Sequence, residues 1–151
     1  MSVAHDVFIS YCWKKNKEKI HDMHSKLSQK FSMWIDKNEM DYGDLNKMMF
    51  EGISQCKVFL CCLTEEYHKS ANCMKEFNLA EELAKPMVFV IFEEISGVSK
   101  PELMQKFGAV SLTMAGKMFY KYQKIDEIES VIRKLLVNKI QAIFASHYFK
   151  S

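Results

Sequence analysis

Three short runs along the chain are continuously apolar and rich in β-branched and aromatic residues: Val7–Ile9, Val58–Leu63 and Met87–Phe92. None alternates between polar and apolar positions. A strand with one wet face alternates with period two, so these runs predict strands buried on both faces, as in a parallel sheet. Met33–Ile35 is a weaker fourth candidate and Ala109–Leu112 a possible fifth. Between them the apolar positions recur at spacings of three and four, the period of a helix with one buried face. Ile20, Met23, Leu27 and Phe31 form one such stripe, and Leu45, Met48, Met49, Gly52 and Ile53 a second. Cys73, Phe77, Ala80 and Ala84 form a third. The longest runs through Ile125, Ile128, Ile132, Leu135, Leu136, Ile140 and Ile143. Thr64 ahead of Glu65 and Glu66 is read as a cap for the third helix, and Pro86 as its stop. The segment 96–107 has the least regular pattern.

The order is therefore β-α-β-α-β-α-β followed by a further βα. Alternation of this kind builds an α/β three-layer sandwich: a central parallel sheet of about five strands with helices on both faces. The length of 151 residues suits a single domain, 1–151, with one sheet at its centre. Met1 lies almost directly on the first strand, as in a domain excised from a longer protein. In such sheets ligands collect at the carboxyl ends of the strands. Four loops lie there: 10–15, 36–44, 64–72 and 93–100.

Composition narrows the chemistry. The chain is 48% hydrophobic and 26% charged, the balance of a folded domain. Its 21 basic and 19 acidic side chains nearly cancel, so charge makes no case for nucleic acid or an anionic membrane surface. The lysines at 14, 15, 17 and 19 read as the solvated start of a helix, with Lys15 the more ordinary and Lys14 the better placed to meet an anion. No basic region followed by an apolar stretch opens the chain, and no apolar run approaches the length of a membrane span. The five cysteines (Cys12, Cys56, Cys61, Cys62, Cys73) form no CxxC pair. Cys61 and Cys62 are adjacent in a strand and point to opposite faces. Free thiols in a reducing, cytoplasmic compartment are expected. Eleven methionines are many for this length. Met48, Met49, Met104, Met114 and Met118 either line an adaptable partner surface or fill the core, the latter reading being favoured for Met48 and Met49.

Several activities lose their motif. The five glycines (43, 52, 97, 108, 116) make no GxGxxG after the first strand and no GxxxxGK[ST], which removes the phosphate cradles of Rossmann dehydrogenases and P-loop NTPases. A GxSxG elbow is also missing. Asp36 ends the second strand rather than the third, which weakens a phospho-receiver reading.

The loops do carry a recognisable pattern. HDVFISYCW at 5–13 resembles the first strand of Toll/interleukin-1 receptor (TIR) domains. MWIDKNEMDYGDL at 33–45 looks like their second strand and the following BB loop, running from a strand-end aspartate, Asp36, to a glycine, Gly43. CKVFLCCLTEEYHKSANCMKEFNLA at 56–80 resembles the third strand and helix: an apolar strand, a serine or threonine, a tyrosine, then S-x-x-C-x-x-E. KPMVFVIFEE at 85–94 is similar to the fourth strand, and KFGAVSLTMAGKMFYKY at 106–122 to the variable later part. The resemblance spans nearly the whole chain in the right order and implies the flavodoxin-like fold.

TIR domains include scaffolds that assemble signalling complexes and enzymes that cleave NAD⁺ at the nicotinamide–ribose bond. The resemblance implies NAD⁺ as substrate, no prosthetic group, no metal, and self-association through the BB loop with other TIR domains. It puts the catalytic glutamate of the enzymes at Glu76, beside the buried stripe of the third helix. Around it the resemblance implies a binding site drawn from Tyr11, Cys12, Trp13, Lys14, Asp41, Leu45 and Asn72. Trp13 is an aromatic that can stack on nicotinamide or adenine. Lys14 is a point charge for the pyrophosphate. Asp41 is either an acidic BB-loop residue near the ribose or a solvated loop residue, the latter reading being slightly favoured; Tyr42 and Leu45 are candidate walls, with Leu45 as the start of the next helix the alternative. Two positions depart from the NAD⁺-cleaving pattern: Asn72 stands where those enzymes carry an aromatic four residues before the glutamate, and Cys12-Trp13 where many carry arginine. A non-catalytic TIR interaction module is the alternative reading.

Overall fold

The computed structural model describes residues 5–12, 14–35, 45–93, 99–114 and 119–149, with backbone alone at 35, 45, 46, 48, 100 and 138–149. Five strands form one sheet: β1 (Val7–Ser10), β2 (Met33–Ile35), β3 (Val58–Leu63), β4 (Met87–Ile91) and β5 (Phe119–Lys121). All neighbours are parallel, in the order β2-β1-β3-β4-β5. Among the described residues, six α-helices connect and cover them: α1 (Lys17–Leu27), α2 (Leu45–Gln55), α3 (Ala71–Glu82), α4 (Lys100–Phe107), α5 (Val110–Met114) and α6 (Ile125–Phe149). This is the doubly wound, flavodoxin-like α/β arrangement expected from the alternation of strand and helix patterns.

The two faces of the sheet explain why the strand sequences do not alternate. Phe8, Phe59, Cys61, Leu63, Phe89 and Ile91 pack with Ile53, Phe77, Ala80, Leu103, Phe107, Val110 and Met114, the apolar sides of α2 to α5. Val7, Ile9, Val58, Leu60, Cys62, Val88 and Val90 pack with Ile20, Met23, Leu27, Ile128 and Ile132 from α1 and α6. Aromatic rings thus gather on one face and mostly branched aliphatics on the other. Both sides exclude water, so every position along a strand is selected for apolarity. Burying each phenylalanine stabilises the fold by about 2–3 kcal/mol. Cys61 and Cys62 lie on opposite faces, and all five thiols are free and buried.

Three expectations are corrected. Ala109–Leu112 is not a strand. Val110 and Met114 are buried, while Leu112 is 67% exposed. A strand would place 110 and 112 on one face; burial at 110 and 114 is the helical period, and these residues belong to α5. The fifth strand is instead Phe119–Lys121, paired to β4 through Phe89 with Phe119 and Ile91 with Lys121. The irregular segment 96–107 contains α4. Its N-cap is Ser99, whose side chain accepts from the Glu102 amide; Pro101 stands in the first turn and Gly108 closes the end. The cap of α3 is Ser70, which accepts from the Cys73 amide, and not Thr64. A single 3-10 turn (Tyr67–Lys69) lies between Thr64 and that cap.

The end of α3 precedes Pro86. Lys85 N–H reaches the Ala80 carbonyl and Ala84 N–H the Glu81 carbonyl, with Ala84 left-handed at φ 54°. Lys85 then turns back, and its Nζ donates to the Ser54 and Cys56 carbonyls at 2.8 Å each, which satisfies the C-terminal end of α2. Thr113 donates to Glu81, tying α5 to α3. Among the methionines, Met114 is core and Met104 exposed; Met118 and the Met48 side chain lie outside the described residues. No helix among the described residues is long and apolar enough to cross a membrane.

Candidate functional site

Strand order reverses between β1 and β3: from β1 the chain moves outward to β2, and from β3 toward β4. This is the switch point at which two loops part and leave a crevice. The register sets Ser10, the last residue of β1, opposite Cys61 of β3. Ser10 shares its side of the pleat with Phe8, and therefore faces the helix layer that contains α3. Ser70 caps α3 at this end, so the second turn of the helix carries Glu76 to the crevice.

A pocket of about 160 Å³ lies there, lined by Tyr11, Cys12, Lys14, Ser70, Asn72, Cys73 and Glu76. Five of the residues singled out in the sequence, Tyr11, Cys12, Lys14, Asn72 and Glu76, come together in it. Trp13, Asp41 and Tyr42 lie outside the described residues. Leu45 opens α2 by its backbone, and its side chain is not described.

Glu76 is 5% exposed. A carboxylate removed from water needs hydrogen-bond donors. Ser10 Oγ donates to Glu76 Oε1 at 2.7 Å, and Ser10 Oγ lies 2.6 Å from Tyr67 Oη. Ser10 and Tyr67 are both fully buried. Burial raises the Tyr67 phenol well above its usual range, and nearby Cys61, Cys73 and Glu76 add to the effect; the phenol keeps its proton at neutral pH. Burial also pushes the Cys73 thiol up to about 12, with the charge of Glu76 contributing and the Ser70 hydrogen bond opposing. A protonated, buried thiol is a poor nucleophile, so Cys73 forms wall rather than chemistry.

The pocket rim is graded. Tyr11 is buried; its hydroxyl meets His21 Nε2 at 3.3 Å and its ring stands edge-on to that imidazole. Lys14 is exposed at the mouth. Lys15, by contrast, approaches Glu66 at 3.9 Å, away from the pocket. Ser10, Tyr67 and Ser70 received no site role from the sequence. The signal for Ser10 was a lone hydroxyl closing an otherwise apolar strand. Tyr67 reads as ordinary core until the register shows where its hydroxyl ends.

A second cavity of about 290 Å³ lies at the carboxyl ends of β4 and β5, lined by Asn16, Lys19, Phe92, Glu93, Lys121, Tyr122 and others. Its aromatic is already occupied: Phe92 stacks on Tyr122 at 5.2 Å and Lys19 Nζ lies 5.2 Å from the ring centroid. Glu93 accepts from the Glu65 amide. None of the residues given a site role from the sequence lines it.

Fold and site define a doubly wound α/β domain with a buried, hydroxyl-bound carboxylate at its switch point. The TIR domain model matches residues 7–130. The chain belongs to the TIR domain family. Solved structures with the same fold include the TIR domain of the Toll-related receptor TRR-2 from Hydra magnipapillata, at 11% identity and TM-score 0.61, covering 91% of this chain and 98% of that one. The TIR domains of the activated Roq1 resistosome, which directly recognises the pathogen effector XopQ, match at 14% identity and TM-score 0.55, covering 87% and 82%. A metazoan TIR-STING receptor from C. gigas matches at 16% identity and TM-score 0.56, covering 87% of this chain and 42% of that one. No curated protein matches the chain by sequence.

Proposed function

We propose that this TIR domain cleaves the nicotinamide–ribose bond of NAD⁺ through Glu76, in assemblies of several copies and in the service of innate-immune or cell-death signalling. The observation that carries this reading is the buried Glu76 carboxylate, held by Ser10 and opening on a pocket. Ordinary glycosides need two carboxyl groups because the leaving oxygen must be protonated. Nicotinamide in NAD⁺ is a pyridinium. When the C1′–N bond breaks, the electron pair returns to the ring nitrogen and the base leaves neutral. What remains for the protein is the positive charge growing on the ribose, which a fixed carboxylate stabilises electrostatically. Water, or a nucleophile on the same molecule, then closes on C1′ and loses a proton to solvent, giving ADP-ribose or a cyclic isomer.

The other lining residues take supporting roles. Lys14 at the mouth meets the pyrophosphate and Asn72 offers an amide to ribose or carboxamide. Trp13, Asp41 and Leu45 complete the set proposed from the sequence. A pocket of about 160 Å³ is smaller than the roughly 300–1,000 Å³ of most small-molecule sites. It suits one end of a dinucleotide, and a second copy contributing its BB loop would supply the rest.

The test is nicotinamide release, measured chromatographically at high protein concentration with a crowding agent, for wild type and Glu76→Gln. Wild type should turn over, with activity rising steeply with concentration. Glu76→Gln should be slower by a factor of about 10²–10³, the size seen when one preorganised group is removed. If neither protein releases nicotinamide, the chain is read instead as a non-catalytic TIR interaction module. Asn72 and Cys12, which replace an aromatic and an arginine of the enzymatic pattern, are the observations favouring that second reading.

A further inference from the structure

Three polar side chains are linked beneath the pocket. Ser10 ends β1, Tyr67 sits in the 3-10 turn after β3, and Glu76 is on α3. Ser10 Oγ is 2.7 Å from Glu76 Oε1 and 2.6 Å from Tyr67 Oη. Counting protons orders this line. An ionised carboxylate only accepts. The single Ser10 proton therefore goes to Glu76. The Ser10 oxygen must accept on its other side, so the Tyr67 phenol donates to it. Each proton points toward the carboxylate, and hydrogen bonds aligned this way polarise one another.

We propose that Ser10 and Tyr67 are positioning residues for Glu76, a one-way hydrogen-bond chain that fixes the direction in which the carboxylate faces the ribose. Neither residue lines the pocket; Tyr67 acts through Ser10, and Ser10 through Glu76. The inference rests on the reading of Glu76 as the carboxylate that meets the sugar. It adds that the effectiveness of that carboxylate depends on two buried hydroxyls from two other parts of the fold. A carboxylate free to rotate would stabilise the growing charge only part of the time.

The experiment compares Ser10→Ala, Tyr67→Phe and the double variant with wild type, after thermal melts establish folding. Steady-state NAD⁺ cleavage should show kcat lower by about tenfold in each single variant, with KM changed less than about threefold. Loss of a donor disfavours the ionised carboxylate, so the acid limb of the pH–rate profile should move to higher pH in Ser10→Ala. The double variant should be no slower than Ser10→Ala, because Tyr67 acts through Ser10. Unchanged kcat and acid limb, or losses that multiply in the double variant, would overturn the proposal. If wild type releases no nicotinamide, the NAD⁺ reading fails by itself. The chain is then decided by the carboxyl ¹³C titration of Glu76, which should shift to higher pH in Ser10→Ala; no shift overturns it. Should Ser10→Ala fail to fold, Tyr67→Phe keeps the ring in place and carries the same readouts.

Discussion

Gly52 offers a test in which two effects of similar size oppose one another. It lies within α2, where alanine is favoured over glycine by about 1 kcal/mol through backbone entropy alone. On that ground Gly52→Ala stabilises. The structure argues the reverse. A Cβ at Gly52 would lie 3.0 Å from Phe8 Cε2, 3.2 Å from Cδ2 and 3.4 Å from Trp34 Cδ2, where carbon atoms prefer roughly 3.5–4.0 Å. The Phe8 ring must slide by several tenths of an ångström, and it has no room. It is fully buried, stacked on Trp34 at 4.6 Å and beside Phe59 at 5.7 Å, all three rings nearly parallel. Overpacking a filled core costs about 1–3 kcal/mol. The net expectation is a destabilisation of about 1 kcal/mol, or a fall in Tm of roughly 2–4 °C for a chain of this size. Urea melts followed by circular dichroism measure it. In a Phe8→Leu background the ring is gone, and Gly52→Ala should turn neutral or stabilising. A gain of about 1 kcal/mol in the wild-type background would refute the packing argument and leave helix propensity in charge.

Three other expectations follow from the same geometry. Lys85→Met removes two 2.8 Å charge-assisted hydrogen bonds from the end of α2; it should lower stability by about 2 kcal/mol in a denaturant melt with the slope unchanged, and a loss under about 0.5 kcal/mol would contradict it. Gly108→Ala should cost about 3 kcal/mol by thermal melt, since Gly108 sits at φ +60° and a Cβ would lie 2.6 Å from His68 Cδ2. At alkaline pH the buried thiols govern stability. Cys73 is raised by burial from 9.0 to about 12, and Cys61 and Cys62 are also raised. The unfolded chain releases these protons first, so the stability they contribute is intact below pH 9 and is lost as pH climbs from 9 toward 12. Each thiol should contribute a loss of about 1.4 kcal/mol per pH unit in that window, and denaturant melts at pH 8 and pH 10 that coincide would refute it.

The fold was legible where burial on two faces leaves a continuous apolar run, as at Val58–Leu63, and where helical stripes are long, as from Ile20 to Phe31. It was obscured where an element is short. At Val110–Met114 a single turn offers too few positions to separate period two from period 3.6. Phe119–Lys121 is three residues long, and its strand character comes from docking on β4 rather than from its own composition. The cap of α3 shows a different limit. Thr64 and Ser70 both precede acidic or apolar positions that suit a helix start, and the 3-10 turn that separates them depends on Tyr67 sinking into the core. At the site, Glu76 and its neighbours were legible through motif resemblance, and the register alone revealed the partners of the carboxylate. Ser10 and Tyr67 are 57 residues apart in the chain, and no local pattern links them.

What distinguishes the two functional readings physically is the position of the anion. A docking module works with exposed side chains; it gains nothing from a carboxylate buried beside a largely apolar layer. Desolvating such a group costs several kcal/mol, and the hydrogen bond from Ser10 offsets part of it. An apolar residue of the same size would hold α3 on the sheet at least as well. Proteins accept local destabilisation of this kind where activity needs it. Cys12 and Asn72 line the pocket wall, so on the NAD⁺-cleaving reading the departures there bear first on affinity. The group proposed to stabilise a developing ribose cation, Glu76 with the hydrogen bond from Ser10 and Tyr67 behind it, does not include them. That reading therefore expects weak substrate binding, relieved by a neighbouring copy, before any loss of the chemical step.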